Sequence, residues 1–385
     1  MNKSIATVRE NHQKAFELLT SRQEISRVEI SKELDVSLQT AMKIMQYFTD
    51  YGFAECIGEG NGNLGRKPQL YAFKPDSVYI LAALHEGDTI RVGVLDATCK
   101  LILEETEEIH GGMHEWLVGQ PCAIAERLLK NLEEQGRGAK RILGAGLCLP
   151  GVVDDIRNEI SFAPSFELSS SYYIGDMLKK TEERLGVPVY VENDVNSAVY
   201  GEFRHTGSSN LAFITLGAGA GMGMVLDGKL RRGPEFSAGE IGYMPIPDEF
   251  VPGQWRAAEE LVGLEALRRR FGFERHYGIT GMNPETRETM LNMISKVLAH
   301  IISSSAAMVN ITEFVLGGLT VEAFGDCLIE ETRYKTNQIS PFKVTIRGQS
   351  TSSPALIGAA QKVLDKRTGA LMALDSHGKA LGFGG

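Results

Sequence analysis

The pattern of apolar residues changes near residue 75, and this change divides the chain into two parts. Over residues 9–75 the pattern predicts three short helices followed by a hairpin of two strands. From residue 76 onwards, apolar strands alternate with amphipathic helices, which is typical of an α/β domain. Because residues 76–385 exceed what one hydrophobic core usually supports, we expect this second part to form two lobes.

The three short helices have clear boundaries in the sequence. Residues 9–20 carry apolar side chains at helical spacing, and Ser26 and Ser37 stand where the second and third helices would begin. Serine is a preferred N-cap because its hydroxyl accepts a hydrogen bond from a free backbone N–H of the first turn. The third helix would turn four apolar side chains towards the core: Ala41, Ile44, Met45 and Phe48. Two helices joined by a tight turn after a first helix form a helix-turn-helix.

A glycine- and asparagine-rich loop at residues 58–65 separates predicted strands at 54–57 and 69–73, which makes the unit a winged helix. A scaffold or dimerisation module is the alternative, but polar side chains on the third helix favour DNA binding. The residues that we expect to contact DNA are Ser37, Gln39, Thr40 and Lys43 on the third helix, and Arg66 and Lys67 at the tip of the wing.

Charge and composition limit the possible functions. The net charge is −9, but residues 1–75 hold ten lysines and arginines against nine acidic residues, which leaves −10 for the remainder. A nearly neutral amino-terminal part can still present a basic face to phosphates. Because the first residues carry no apolar segment of signal-peptide type and no apolar run reaches membrane-spanning length, we expect neither secretion nor membrane spanning. Five widely spaced cysteines without a C-x-x-C pair fit a reducing cytoplasm rather than a disulfide framework or a thiolate metal site.

Four glycine-rich motifs and one motif with acidic and asparagine residues follow one another along the second part. They are GAGLCLPGVVD at 144–154, ENDVNSA at 192–198, LGAGAGMG at 216–223, AGEIG at 238–242 and LGG at 316–318. Together with the winged helix, this series resembles the ROK family of repressors, open reading frames and sugar kinases, and within it the xylose- and N-acetylglucosamine-type sugar-responsive repressors. The resemblance covers nearly the whole chain.

The resemblance implies an actin-like, ribonuclease-H-like sugar-kinase fold at residues 76–385, after a DNA-binding domain at 1–75. The smaller lobe would comprise about 76–194 plus the C-terminal end, and the larger lobe about 195–365. Sugar would lie between the lobes. Family kinases bind sugar hydroxyls at positions that correspond to Asn193, Asp194, Glu240 and Glu259, with Tyr243 beside them, and Asp194 is the position of the general base.

The phosphate-binding loops depart from the kinase pattern. In family kinases the first hairpin reads D-x-G-G-T, whereas Leu84, Glu86, Gly87 and Asp88 stand at those positions here. Of the first motif only Gly87 is kept, and the second loop has Ala218 in place of a threonine and Met222 in place of a glycine, whereas the late pair Gly317 and Gly318 matches. Without the metal-binding aspartate, and with two added carboxylates, we expect no binding of ATP and Mg²⁺ and no catalysis.

The zinc site of the family is also missing from the sequence. Tyr243, Phe250, Pro252 and Ala257 occupy the positions of its one histidine and three cysteines, and none of them is an ordinary zinc ligand. We therefore expect no cofactor and no bound metal, and we expect Phe250 and Trp255 to fill the site as a small apolar cluster.

The leading hypothesis is a cytoplasmic, sugar-responsive regulator, a repressor of carbohydrate-metabolism genes, without kinase activity and without membrane contact. It would bind a palindromic operator as a homodimer or a dimer of dimers, with a sugar or sugar derivative as effector. Two alternatives stay open: an ATP-dependent sugar kinase with an accessory DNA-binding domain, and a regulator whose input is a protein partner.

Overall fold

The computed structural model describes residues 3–59, 68–137, 141–163, 168, 170–248, 251, 253–273 and 276–371. Arg66, Lys67, Phe250, Pro252 and the glycine-rich end at 376–385 lie outside these residues. No helix in the described ranges is long and apolar enough to cross a membrane.

The amino-terminal unit is a winged helix. Its elements are α1 (Lys3–Arg22), β1 (Glu24–Ser26), α2 (Arg27–Glu33), α3 (Leu38–Asp50), β2 (Ala54–Glu59) and β3 (Gln69–Phe73), and the strands form an antiparallel sheet in the order β1-β3-β2. Both predicted N-caps are confirmed: the Ser26 hydroxyl accepts from the Glu29 N–H at 3.2 Å, and the Ser37 hydroxyl accepts from the Thr40 N–H at 3.1 Å. Strand β1 was not predicted from the sequence because it has only three residues.

The next elements build the first lobe. They are β4 (Tyr79–Glu86), β5 (Thr89–Asp96), β6 (Leu101–Glu108), α4 (Gln120–Glu134), β7 (Ile142–Leu149), β8 (Val152–Asp154), β9 (Glu159–Ser161), β10 (Tyr172–Tyr173), α5 (Gly175–Leu185) and β11 (Val189–Asn193). The main sheet has the order β11-β7-β4-β5-β6, in which β4, β7 and β11 are parallel and β5 is antiparallel to both neighbours. The next helix, α6 (Asp194–Thr206), packs mainly on the sheet of the second lobe.

The second lobe follows the same plan. It contains β12 (Leu211–Leu216), β13 (Ala220–Leu226), β14 (Lys229–Leu230), β15 (Pro245–Pro247), β16 (Trp255–Ala257), α7 (Glu259–Val262), α8 (Leu264–Phe271), α9 (Pro284–Val309), β17 (Glu313–Gly317), α10 (Leu319–Phe324), α11 (Asp326–Ile339) and β18 (Thr345–Gly348). The chain then returns to the first lobe in α12 (Pro354–Leu371). Its main sheet, β14-β13-β12-β17-β18, again joins three antiparallel strands to two parallel ones. Two sheets of this plan make the two-lobed fold expected from the sequence.

Helix α12 contacts the first lobe, helix α6 and the winged helix. The expected lobe boundary near residue 365 falls inside it, yet the helix packs on β4 and β7 of the first sheet and crosses α6 closely. A Cβ atom on Gly358 would lie 1.8 Å from the Ser197 carbonyl oxygen, and one on Gly201 would lie 2.1 Å from that of Pro354, so both positions require glycine. Helix α12 also contacts α1.

One hydrophobic core joins the winged helix to the first lobe. The Phe16 ring packs edge-on against Phe48, Phe53 and Phe73, and the same buried cluster continues into Leu95 and residues of α12. A guanidinium N–H of Arg141 donates to the Tyr51 carbonyl across this boundary at 2.8 Å. The DNA-binding unit is thus packed onto the lobe rather than joined to it by a free linker.

Candidate functional site

Two of the expected sugar-binding residues stand where β11 ends and α6 begins. Asn193 is the N-cap of α6: its side-chain oxygen accepts from the Asn196 N–H at 2.9 Å, and its amide donates to the Gly151 carbonyl at 2.9 Å. The Oδ1 atom of Asp194 accepts from the Val195 N–H at 2.8 Å and from the Asn193 amide at 3.0 Å. These bonds hold both side chains at the edge of the first sheet, where parallel strands end.

The other three residues come from the second lobe. Glu240 precedes a short 3₁₀ turn that contains Tyr243, and Glu259 begins α7. A Glu259 carboxylate oxygen accepts from the Ala220 N–H at 3.3 Å, which ties α7 to the glycine loop after β12. Gly219 leaves space for this carboxylate, because a Cβ atom there would lie 2.5 Å from it.

The five residues line one cleft of about 190 Å³ between the lobes: Asn193, Asp194, Glu240, Tyr243 and Glu259. The lining also contains His85, Glu86, Phe162 and Phe236, which were not assigned to the sugar site from the sequence. Glu86 was assigned to the altered phosphate loop rather than to the sugar site, His85 belonged to no recognised motif, and single phenylalanines in loops form no pattern. The described residues that line the cleft include four carboxylates and no lysine or arginine.

The crowding of carboxylates changes their acidity. Burial, together with the nearby charges of Glu86 and Glu240, raises the pKa of Asp194 to about 7. Burial and the charge of Glu259 likewise raise the pKa of Glu240, and burial with both glutamates raises the pKa of Tyr243. The cleft therefore favours ligands that donate hydrogen bonds to carboxylates and disfavours additional negative charge.

Asp194→Asn should change the pH dependence of stability. A carboxyl group with a pKa of about 7 in the folded state and an ordinary, lower value in the unfolded state holds its proton more tightly when folded. Its contribution to stability is therefore lost as the pH rises towards 7. Asparagine keeps the Oδ1 acceptor but cannot ionise, so its advantage over aspartate should grow by about 2 to 3 kcal/mol between pH 5 and pH 8. Urea unfolding of both proteins at pH 5 and pH 8 measures this difference. An equal change in the free energy of unfolding between the two pH values for both proteins would contradict it.

The residues at the kinase phosphate positions lie beside this cleft. Leu84 is buried in β4, and the Glu86 carboxylate lies 3.6 Å from the Arg91 guanidinium. Gly87, Ala218 and Glu86 line the cleft. Asp88, which was expected to face a triphosphate, lies at the exposed turn between β4 and β5 and is absent from the described lining. Of the two added carboxylates, only that of Glu86 therefore lines the cleft.

Gly317 ends β17 and Gly318 follows it, and neither belongs to the described lining of this cleft. Gly318 has φ of 92°, and a Cβ atom there would lie 2.6 Å from the Leu216 carbonyl oxygen. It lines a small cavity of about 50 Å³ that also touches Glu86, Arg91 and Asp194. Gly318 is thus explained by the close approach of the Leu216 backbone, and Gly317 by the Phe213 ring, which would lie 2.4 Å from a Cβ atom there.

An ion cluster lies in the segment that corresponds to the family's zinc site. Asp248 is buried and accepts from the Arg256 Nε atom at 2.6 Å, with an Arg270 nitrogen at 3.5 Å. Trp255 is 64% exposed, so the expected apolar cluster around it is wrong: strand β16 turns this ring outwards. Ala257 pairs with Pro245 in the β15-β16 hairpin. Among the described residues, no group of three histidines, cysteines, aspartates or glutamates could hold a metal.

The third helix presents a continuous exposed face. Gln39 and Lys43 are exposed, as expected, whereas Ser37 and Thr40 bond to each other through their hydroxyls at 2.9 Å and stabilise the helix start. Leu38 and Met42 are 56% and 45% exposed on the same face. Apolar side chains at such positions can contact thymine methyl groups in a major groove. The sequence suggested this role for the polar side chains only.

Comparison with known proteins agrees with this geometry. The model of the ROK family matches residues 87–366. A xylose repressor from Caldicellulosiruptor bescii is 27% identical over 226 residues, which are 58% of this chain and 55% of that protein, and one from Bacillus subtilis is 23% identical over 225 residues, which are 58% and 56%. A glucokinase from Streptomyces coelicolor is 34% identical over 137 residues, or 34% of this chain and 42% of that enzyme. The chain thus matches just over half the length of these repressors.

Solved structures share the fold. A ROK family transcriptional regulator, described as a homologue of the E. coli MLC protein, superposes with a TM-score of 0.74 at 16% identity, covering 94% of this chain and 97% of that one. A ROK glucokinase from Streptomyces griseus superposes with a TM-score of 0.57 at 21% identity, covering 74% and 98%. The regulator covers the winged helix as well as both lobes, whereas the kinase covers about three quarters of the chain.

Proposed function

The chain belongs to the ROK family, and from this premise we propose that it is a sugar-responsive transcriptional repressor that binds operator DNA through its winged helix and a sugar in the cleft between its lobes. The observation that carries the proposal is a carboxylate-lined cleft, without lysine or arginine among its described residues, in one chain with a winged helix. The xylose repressors that match this chain support the same function. Operator DNA implies a cytoplasmic location.

The cleft argues against a kinase. Phosphoryl transfer requires cations that hold a triphosphate and balance its developing charge. Here Glu86, Asp194, Glu240 and Glu259 face the cleft, and their carboxylates would repel a nucleotide. Leu84 supplies no metal ligand at the position of the kinase aspartate. We therefore propose that the protein uses neither ATP, Mg²⁺ nor zinc.

The effector should be an uncharged sugar. Sugar hydroxyls donate hydrogen bonds, and carboxylate oxygens accept them, often two from neighbouring hydroxyls. A sugar phosphate would bring about two negative charges close to Asp194 and Glu240, whose pKa values burial and neighbouring carboxylates already raise. Xylose is the first candidate because the repressors that match this chain are named for it.

Sugar binding can reach the DNA-binding unit through packed helices. A ligand that contacts Asn193 and Asp194 on one lobe and Glu240 and Glu259 on the other favours lobe closure, since only the closed form offers both sets of contacts. Helix α6 begins at Asp194 and packs on α12, which contacts α1. In a dimer on a palindrome, closure would change the spacing of the two winged helices, and half-sites about 34 to 36 Å apart tolerate little change.

A thermal-unfolding screen tests the effector part of this proposal. The unaltered protein is heated with D-xylose, D-glucose, other monosaccharides, amino sugars and sugar phosphates. A neutral sugar at 100 times its Kd should add about 2.7 kcal/mol of stability, and sugar phosphates should add less. ADP release measured with the same sugar should stay at background. Sugar-dependent ADP release, or elemental analysis near one zinc per chain, would favour the kinase instead.

Substitutions on α3 test the DNA-binding part. Lys43→Ala should weaken binding to all DNA sequences and lower the slope of log affinity against log salt by about 1, because it removes one phosphate contact. Gln39→Ala should cost about 1 to 3 kcal/mol on the operator and much less on random DNA, since it removes a base contact. Lys179→Ala on α5, where the side chain is 75% exposed, is the control with the same charge change. If all three variants bind alike, α3 is not the recognition helix.

A further inference from the structure

Two phenylalanines line the sugar cleft, one from each lobe. Phe162 follows β9 of the first lobe, and Phe236 lies in the loop between β14 and the 3₁₀ turn of the second lobe. The Phe162 ring is 58% exposed, and the Phe236 ring is half-buried. Each side chain presents apolar surface to a cleft whose other prominent groups are carboxylates.

Both residues have a backbone conformation that bulky side chains rarely adopt. The φ angle is 48° at Phe162 and 58° at Phe236. Eight non-glycine residues of the described chain have positive φ, and these two are the only aromatic ones among them. Such conformations persist where the surrounding structure imposes them, and they concentrate at ligand sites.

The neighbouring backbone imposes this conformation in both loops. Beside Phe162, Ala163 is buried and bonds through its backbone to Leu168, and Gly151 packs so closely that a Cβ atom there would lie 2.7 Å from Ala163. Beside Phe236, the Ala238 N–H donates to the Arg232 carbonyl at 3.0 Å. Gly239 accepts from the Met222 N–H through its carbonyl. Each loop is anchored in its own lobe while its phenylalanine ring stays outside the core.

A sugar ring has two kinds of surface. Its rim carries hydroxyls, and its two faces carry C–H groups when most hydroxyls are equatorial. Asn193, Asp194, Glu240 and Glu259 can bind the rim, but they offer nothing to the faces. We propose that Phe162 and Phe236 form an aromatic clamp that packs on the C–H faces of one pyranose ring. The inference rests on the proposed sugar cleft and selects, within uncharged sugars, those with mainly equatorial hydroxyls.

The clamp also links binding to closure. Phe162 moves with the first sheet and Phe236 with the second, so one ring held between them contacts both lobes at once. A ligand that gains contacts only in the closed form shifts the population towards that form. The two phenylalanines therefore add to the closure that the carboxylates favour.

Glycine substitutions separate a ligand role from a structural one. Phe162→Gly and Phe236→Gly each remove a ring while placing glycine where φ is positive, a conformation that glycine adopts without strain. Without sugar, thermal unfolding of each variant should stay close to that of the unaltered protein. Calorimetric titration with D-xylose and D-glucose should show affinity at least 10-fold weaker. Phe162→Tyr and Phe236→Tyr keep the ring and should bind within about threefold of the unaltered protein, which is about 0.65 kcal/mol.

Matched controls remove side chains at other left-handed positions. Asn158→Gly, at φ 55°, and Asp227→Gly, at φ 51°, lie in the first and second lobes outside the cleft lining, and neither should change sugar affinity. If the phenylalanine-to-glycine variants bind both sugars as well as the unaltered protein does, the clamp is wrong while the proposed effector site stands. The clamp is also wrong if Phe162→Gly and Phe236→Gly unfold at a much lower temperature than the unaltered protein and bind sugar weakly only for that reason. Absence of sugar binding by the unaltered protein would contradict the clamp and the proposed effector together.

Discussion

Lys362→Met is expected to lower the free energy of unfolding by about 3 kcal/mol, because it removes a buried cation and its hydrogen bonds from the carboxylates of Asp155 and Glu192. The Lys362 ammonium lies inside the protein, where it donates to Asp155 at 2.8 Å, to the Val191 carbonyl at 2.6 Å and to Glu192 at 3.0 Å. Glu192 is 4% exposed and also pairs with the Arg232 guanidinium. Methionine fills a similar volume but donates no hydrogen bond, so the effect isolates the charge and its bonds.

The control for this prediction stands four residues along the same helix. Lys366 is exposed at the surface of α12, and Lys366→Met changes the net charge by the same amount. Exposed ion pairs contribute little, so this variant should unfold within about 0.5 kcal/mol of the unaltered protein. Urea unfolding of the unaltered protein and the two variants measures both free energies. Equal midpoints for the two lysine variants would show that the buried network adds no stability.

Asp194→Ala and Glu240→Ala are expected to abolish the response of operator binding to sugar while leaving binding without sugar nearly intact. The two carboxylates belong to different lobes and line the same cleft. Coupling between an effector and DNA typically changes affinity 5- to 150-fold, and loss of either carboxylate should bring that ratio close to 1. The reason is that the sugar then no longer binds both lobes, so it cannot favour the closed form.

Glu235→Ala is the matched control. Glu235 is an exposed carboxylate on the same loop as Glu240, outside the described lining of the cleft, so this variant should keep the full response. The readout is fluorescence anisotropy of labelled operator DNA titrated with each protein, with and without the sugar found by thermal unfolding. A normal response from Asp194→Ala or Glu240→Ala would show that another site senses the sugar.

The winged helix could be predicted from sequence because its signals are local. Ser26 and Ser37 cap helices within three residues of their partners, and Ile44 and Phe48 lie one turn apart on one buried face. The two-lobed fold and the cleft residues Asn193, Asp194, Glu240 and Glu259 came from the order of glycine motifs. Glycines at close backbone contacts, such as Gly239 against Met222, explain why such motifs carry fold information.

The features that were missed depend on contacts between distant parts of the chain. Lys362 meets Glu192 across 170 positions, and no local pattern indicates such a pair. Phe162 and Phe236 adopt positive φ, which sequence reasoning assigns to glycine or asparagine. Trp255 was expected inside because large aromatic side chains are usually buried, yet its strand turns it to solvent.

The most direct test of sugar-controlled DNA binding is a titration of the unaltered protein on DNA from its own promoter region. Anisotropy is measured against random DNA of equal length over a range of salt, with no addition, with D-xylose and with the best sugar from the thermal screen. We expect preference for the promoter DNA and a 5- to 150-fold change in that affinity on addition of a neutral sugar. Equal binding to both DNAs, or promoter binding that no sugar alters, would contradict the proposed function.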